Sequence, residues 1–492
     1  MPTVSIVSPD AVLAADAVIV ATVSTPEGIA LVKGAEPVDK ALGGRLLEAL
    51  QALDASGRED EVLKIATLGQ ASFGLVVASG TGKGDPSRVE SEQIRRAVGA
   101  ALRGLNSARR VAVAISAGPS EAATIEAVSD GALLGAYRFT RFKSAATPAA
   151  LRRVDVVGST GADSRKALQR SKIISAAVNN TRDLVNTPAN HLNPPSFAQY
   201  AKDNGEAAGL TVEVLDERGL RRGKFGGILA VGAGSATPPR LVRLSYSPAR
   251  ATTHVALVGK GITFDTGGLD LKTAMMAQMK SDMGGAAAVI EAIIAAAKLK
   301  LPIAITATVP MAENAVSGTA YRPSDILTMR DGRTVEVDNT DAEGRLILAD
   351  AILRACEDSP DYLIETSTLT GGQLVALGLN TTGAMGSDAF RDRVVAAGNA
   401  AGESLWPMPL PAYLRAGLDS PVADITNLPK ERWASMLVAG VFLQDFVSSG
   451  VEWVHLDIAG PSFANAPSGY TPKGGTGAIV RTLVAALSDL AG

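Results

Sequence analysis

Apolar residues recur along the first third of this chain with two periods that take turns. Short β-rich runs at residues 17–23, 62–67, 75–78 and 111–115 alternate with stretches at 40–53, 90–105 and 121–134 whose apolar positions return every three or four residues. Strands separated by helical segments imply a mostly parallel sheet, because a parallel neighbour needs a crossover long enough to hold a helix. A longer helical pattern at 164–184 runs into Asn186-Thr187-Pro188, and a second turn cluster, Asn193-Pro194-Pro195, follows. That succession reads as a connector into a new domain. Beyond it the same grammar resumes with richer loops. Strands are expected at 211–215, 241–245, 254–258, 303–309, 334–337, 362–366 and 453–456, and helices at 284–298, 345–356, 391–401, 436–446 and 478–490. The expected architecture is two α/β domains, a smaller one at 1–160 and a larger one at 186–492, joined by a helix at 161–185.

Composition narrows the class. A chain of 492 residues, 46% hydrophobic and 20% charged, has ample material for large cores. With aromatics at only 4% and 50 glycines, those cores must be built from closely packed Ala, Val, Leu and Ile. Lys+Arg 47 against Asp+Glu 50 gives a net charge of -3, so the overall balance offers nothing to nucleic acid. The single cysteine, Cys356, excludes an internal disulfide and a thiolate metal cluster, and suits a reducing compartment. The first basic residue is Lys33, unlike the charged start of a secretory signal, and no apolar run approaches the ~20 residues that span a bilayer. A cytoplasmic soluble protein with no membrane partner is expected.

Only three histidines are present, His191, His254 and His455, too dispersed to form an HExxH-like pair. His191 and His455 are read as structural hydrogen-bonding residues. A metal site must then be built mainly from carboxylates, and a hydrolase would work without a Ser-His-Asp relay. Three segments concentrate charge where strands should end: 258–268 with Lys260, Asp265 and the nearby Lys272; 280–285 with Asp282; and 338–346 with Asp341, Glu343 and Arg345. In open α/β sheets that edge is where ligands bind.

Each residue also has a plainer reading. Thr340 and Glu343 fit a capping box, Asp265 an Asx-turn, Asp282 a helix cap, and each lysine a solvated charge. Were the 341–345 stretch extended, Asp341, Glu343 and Arg345 would share a side and converge. Clustered carboxylates repel one another and shift their pKa values upward unless cations intervene, and two divalent ions would neutralise four of them. A lysine serving as ligand must be neutral; at pH 7 that costs about 4–5 kcal/mol from a free pKa of ~10.4, which adjacent divalent charge can supply. The glycine-rich residues 80–84 lack the hydroxyl that follows the lysine of a phosphate loop and read as a surface turn.

The blocks at 258–268, 281–285 and 339–346 (NTDAEGRL) resemble the leucyl aminopeptidases, the cytosol aminopeptidases of the two-metal type. Residues 186–190 (NTPAN), 368–371 (TLTG) and 470–477 (YTPKGGTG) extend the likeness over roughly residues 180–492. The resemblance implies a C-terminal catalytic domain with a central mixed sheet flanked by helices. It also implies release of N-terminal residues, leucine or other apolar ones preferred, by attack of a water bridging two divalent ions, Mn2+ or Zn2+. Carried over by motif, one ion is held by Lys260, Asp265, Asp282 and Glu343, and a more exchangeable one by Asp265, Asp341 and Glu343. Lys272 polarises the scissile carbonyl, and Arg345 holds a bicarbonate ion that serves as general base. Met279, Thr368, Leu369 and Gly371 match the substrate pocket. Peptide substrates and a homohexamer, typically a dimer of trimers, complete what the likeness implies.

Two departures stand out. Lys272 and Asp282 are one residue closer than the family usually has them, and Arg432-Trp433-Ala434-Ser435 replaces a common glycine pair. Two rivals remain. A two-metal phosphoesterase would leave NTDAEGRL unexplained. A DNA-binding or scaffolding hexamer with secondary or no peptidase activity is at odds with the near-neutral charge.

Overall fold

The computed structural model describes residues 1–105, 107–145 and 151–492. They divide into two compact units, Met1–Asn179 with Ala464–Lys473, and Asn180–Phe463 with Gly474–Gly492. The helix Ala162–Asn186 runs across the first boundary.

In the first unit, β1 (Thr3–Val7), β2 (Ala17–Thr25), β3 (Gly28–Leu31), β4 (Val62–Ala66), β5 (Leu75–Lys83), β6 (Arg110–Ala114) and β7 (Arg153–Val157) form one sheet. Their order is β1-β7-β6-β2-β5-β4, with β3 paired to β2. Strands β1, β7, β6, β2 and β5 are parallel, while β3 and β4 are antiparallel edges. Strand β2 shows why residues 17–21 are apolar without interruption. Ala17, Ile19 and Ala21 face a cluster with Ile94 and Val128 from the helices Ser91–Arg103 and Glu121–Gly135. Val18 and Val20 face a second cluster with Val38, Leu46 and Leu50. A strand covered on both faces has no polar side to show.

Two expectations fail here for local reasons. The helix expected at 40–53 is two short helices, Glu36–Ala41 and Leu46–Gln51, because Gly43 and Gly44 take positive φ between them. Residues 80–83 are no surface turn; they end β5, and Gly80, Thr81 and Gly82 are buried. The segment Ala464–Lys473 joins this unit through side chains: the Tyr470 hydroxyl donates to Glu92 Oε1 at 2.9 Å and Gly469 N to Asp60 Oδ1 at 2.6 Å.

The second unit holds β8 (Thr211–Leu215), β9 (Arg240–Tyr246), β10 (His254–Gly259), β11 (Gly261–Asp265), β12 (Ala304–Asn314), β13 (Ile326–Thr328), β14 (Thr334–Glu336), β15 (Tyr362–Ser367), β16 (Thr381–Gly386), β17 (Ser404–Pro407), β18 (Ile425–Thr426) and β19 (Glu452–Asp457). The main sheet has the order β17-β16-β19-β15-β10-β12-β9-β8, with β11 paired to β12, and β13-β14-β18 form a small separate sheet. Its centre, β19-β15-β10-β12 with β11, is parallel, and the pairings of β12 with β9, β9 with β8 and β16 with β19 are antiparallel. This is the mixed sheet flanked by helices that was expected. Helices Gly284–Leu299 and Glu343–Cys356 both pack on β10 and β12, and Ala256 and Val258 of β10 join the apolar cluster around Leu346 and Ile347. The parallel centre aligns the carboxyl ends of five strands along one edge.

Candidate metal centre

That edge gathers the charged residues. Lys260 follows β10, Asp265 ends β11, and Asp282 precedes the helix Gly284–Leu299. Glu343 opens the helix Glu343–Cys356, with Asp341 in the turn before it. Asp265, Asp282 and Glu343 are buried, and each offers a carboxylate oxygen within 4.8 Å of the others. Lys260 Nζ lies 2.9 Å from Asp282 Oδ1 and 2.8 Å from Glu343 Oε1, and donates to Thr368 O at 3.0 Å. Lys272 Nζ is 2.7 Å from Asp265 Oδ2 and also pairs with Asp341 Oδ1.

The convergence is reached by a route other than the extended loop expected for 341–345. Glu343 and Arg345 sit in the first turn of a helix, and only Asp341 precedes it. Nor does a capping box form: the helix N-cap is Ala342, and the Thr340 hydroxyl instead donates to Gly267 O at 2.6 Å and accepts from Asp270 N at 2.9 Å. Asp282 caps no helix, since the helix Gly284–Leu299 has Met283 at its N-cap with no side-chain cap bond. The Asx-turn reading of Asp265 holds for one oxygen only. Oδ1 accepts from Gly267 N at 2.9 Å and from Asn314 Nδ2 at 2.8 Å, which leaves Oδ2 to Lys272. Gly344 is what lets Lys260 reach Glu343: a Cβ there would stand 2.6 Å from Lys260 Cε and 2.7 Å from its Nζ.

Arg345 is buried. Its Nη1 donates to Asn427 O at 2.7 Å, its guanidinium carbon lies 5.8 Å from the Phe442 ring centre, and its Nε has no hydrogen-bond partner among the described residues. Among the residues matched to the substrate pocket, Thr368 Oγ1 donates to Asp282 Oδ1 at 2.7 Å, and Met279 O accepts from Asp282 N at 3.2 Å. Leu369 N donates to Asp457 Oδ1 at 3.2 Å, while Gly371 opens the helix Gly371–Leu377 with clear space around its Cα. Sequence reasoning missed the neutral amides Asn314 and Asn427 and the buried Asp457. An uncharged side chain at a strand end gives no charge signal, although the position of Asn314 at the last residue of β12 is the kind of edge site that holds ligands.

Four carboxylates facing two ammonium groups leave the cluster negative, and burial makes that costly. Burial pushes the Glu343 carboxyl up to about 8, with Asp265 and Asp282 adding to the rise against Lys260. Burial likewise lifts Asp282 to about 6, despite Lys260, and raises Asp341. For Lys260 and Lys272 burial acts downward but is outweighed: Asp282 and Glu343 raise the first, Asp265 and Glu343 the second. Burial lowers Arg345 to about 10. Asp282 Oδ2 is buried with no hydrogen-bond partner among the described residues. An unpartnered carboxylate oxygen, an excess of anions and an all-oxygen set joined by one amine fit divalent cations.

Comparison with known proteins agrees. The model of the cytosol aminopeptidase family catalytic domain matches residues 179–484, and that of the family's N-terminal domain matches residues 18–146. This chain belongs to the cytosol aminopeptidase family. It is a metal-dependent aminopeptidase, a hydrolase that acts on peptides. A probable cytosol aminopeptidase of Rhodococcus opacus is 49% identical over 486 residues, covering 97% of this chain and 95% of the relative. Among solved structures, the bottromycin maturation enzyme BotP in complex with Mn is 35% identical with a TM-score of 0.85, covering 97% of this chain and 100% of that one. A mutant of tomato leucine aminopeptidase is 31% identical with a TM-score of 0.88, covering 99% of this aminopeptidase and 97% of its own chain. Among the described residues of the aminopeptidase, no helix is long and apolar enough to cross a membrane. Its His455 is engaged with Glu365 rather than with the carboxylate cluster.

Proposed function

We propose that this aminopeptidase prefers leucine or a similar apolar residue at the peptide's N-terminus and works with two divalent ions. The observation that carries the reading is the buried Asp265, Asp282 and Glu343 set, interleaved with Lys260 and Lys272 at the strand ends. Lys260, Asp265, Asp282 and Glu343 would hold one ion; Asp265, Asp341 and Glu343, with the Asp341 carbonyl, would hold the other. Bound there, manganese or zinc would supply Lewis-acid polarisation and water activation. Lys260 would give up its proton to serve as ligand. Lys272, kept protonated by Asp265 and Asp341, would donate to the scissile carbonyl oxygen and stabilise the charge that develops on it.

The unpartnered Nε–H of Arg345 would hold a bicarbonate ion, which takes the proton that a distant histidine cannot. Met279, Thr368 and Leu369 would shape the pocket for the first side chain, with Gly371 at its open side. The manganese complex of BotP supports manganese as one of the ions. Family likeness is the support for a homohexamer, a dimer of trimers, and for a cytoplasmic location. It also supports the domain reading of 1–160, a linking helix at 161–185, and a catalytic domain at 186–492.

The test is to strip the full-length protein with a chelator, reload it with manganese or zinc, and follow hydrolysis of leucine p-nitroanilide. Activity should vanish and return. Silence with two ions bound per chain would sink the reading.

A further inference from the structure

We infer that Asn427 is a positioning residue for the metal centre, one that sets the Asp341 turn and Arg345 in register with each other. The inference rests on the proposed function and adds a residue to it. Asn427 follows β18, whose parallel partner β14 leads into the turn that carries Asp341. It is fully buried, at 0% exposure. Its backbone N–H donates to Glu336 O at 2.9 Å. Its Oδ1 accepts from Asp338 N at 2.8 Å and Asn339 N at 3.2 Å, and its Nδ2 donates to Asn339 O at 2.7 Å and Ala342 O at 3.4 Å. Its carbonyl accepts from Arg345 Nη1 at 2.7 Å.

Every polar group of one residue is thus spent on the stretch from Glu336 to Arg345. An asparagine buried merely to close a turn would need some of these bonds, and a buried amide left partly unpaired would be costly. Here the side chain grips the backbone on both sides of Asp341, while the main-chain carbonyl orients the guanidinium. Two groups that must act on one substrate are therefore referenced to one point. Asn314 ties the other side of the same turn, its Nδ2 donating to Asp265 Oδ1 at 2.8 Å and to Thr340 O at 3.0 Å. Loosening Asn427 should then shift the Asp341 turn rather than release it.

Asn427→Ala removes the amide grip and keeps the carbonyl that orients Arg345. Metal-free wild type and variant, each as the full chain, would be titrated with Mn2+ by calorimetry, and kcat and KM for leucine p-nitroanilide measured at saturating Mn2+. Outer-shell partners of metal ligands are worth about 10–100-fold in affinity or activity. The variant should lose that much Mn2+ affinity at the weaker site and a comparable factor in kcat, with KM little changed and thermal unfolding still well above the assay temperature. Wild-type affinity and kcat in the variant would overturn the inference, as would losses that only follow unfolding. Should the alanine variant fail to fold, Asn427→Ser leaves a short neutral hydroxyl that cannot reproduce the four amide bonds, and the same outcomes apply to it. A wild-type chain that binds no Mn2+ would sink the proposed metal centre and this inference together, whereas equal binding by wild type and variant sinks the inference alone.

Discussion

In the first unit the carboxyl ends of β1, β6 and β7 open into loops of small polar residues. Ser8, Ser116, Gly118, Gly158 and Ser159 border a cavity of about 650 Å3 there. In the second unit the corresponding ends of β10, β11 and β15 lead to Lys260, Asp265 and Thr368. Both units centre on parallel strands packed against helices, so the scaffold does not separate them. The carboxylates do. Glu121, at the first edge, accepts from Ser159 N at 2.6 Å and from its hydroxyl at 2.9 Å, and those bonds hold its carboxyl below the usual range. Glu343, at the second, is buried among other acids and pushed up to about 8. Protein donors alone keep the first carboxylate charged, whereas the second, raised by burial and by the acids beside it, is stabilised as an anion only when a cation joins it. The fold supplies an edge, and the state of the acids along it decides the chemistry.

Four substitutions sharpen that contrast. Glu343→Ala should bring the largest change: leucine p-nitroanilide hydrolysis falling at least about a thousandfold, with bound metal below that of wild type by elemental analysis. Lys272→Ala is its foil, because it should keep the metal and lose most turnover; a variant that loses metal instead would show that Lys272 serves binding.

A third substitution concerns a buried pair without metal chemistry. His455 and Glu365 face each other on β19 and β15, both fully buried. Burial alone would lower the His455 pKa, but Glu365 and Asp457 outweigh it and the value stands above the ordinary 6.5. The pair's contribution to stability is therefore complete below pH 6.5 and fades as pH rises through the higher folded value. His455→Gln should cost about 3–5 kcal/mol in urea unfolding at pH 6, since it leaves Glu365 buried alone. The gap between variant and wild type should narrow at pH 9, and a gap that widens would refute the assignment.

The smallest effect is expected from Glu121→Ala at the first unit's edge. Activity per bound metal should stay within about twofold of wild type, because surface changes remote from a site seldom reach it. A large loss of activity would mean that the two edges are not independent.

Much of this was legible from residues alone. Strands such as β2 and β10 announce themselves because burial on both faces leaves them largely apolar. The charged blocks at 258–268, 280–285 and 338–346 were recognisable because charge is rare beside such strands. The route by which they meet was not. Asp341 and Glu343 fit an extended loop as well as a turn leading into a helix, and only the tertiary bonds of Thr340 to Gly267 and Asp270 decide between them. Strands β16 (TTGAMG) and β17 (SLWP) escaped notice because neither shows alternation or a β-branched apolar run. Asn314 and Asn427 escaped because an amide carries no charge, so its importance lies wholly in what surrounds it.

The excursion of Ala464–Lys473 into the first unit has a consequence for how the gene can be divided. The chain passes from one unit to the other after Asn179, after Phe463 and again after Lys473. A single cut after residue 179 would thus encode neither body whole: the upstream fragment would lack the strand of chain bearing Tyr470, and the downstream one would carry it with nothing to receive it. Recombination that swapped residues 1–179 alone would have to preserve ten residues near the other end, which ties the inheritance of the two units together.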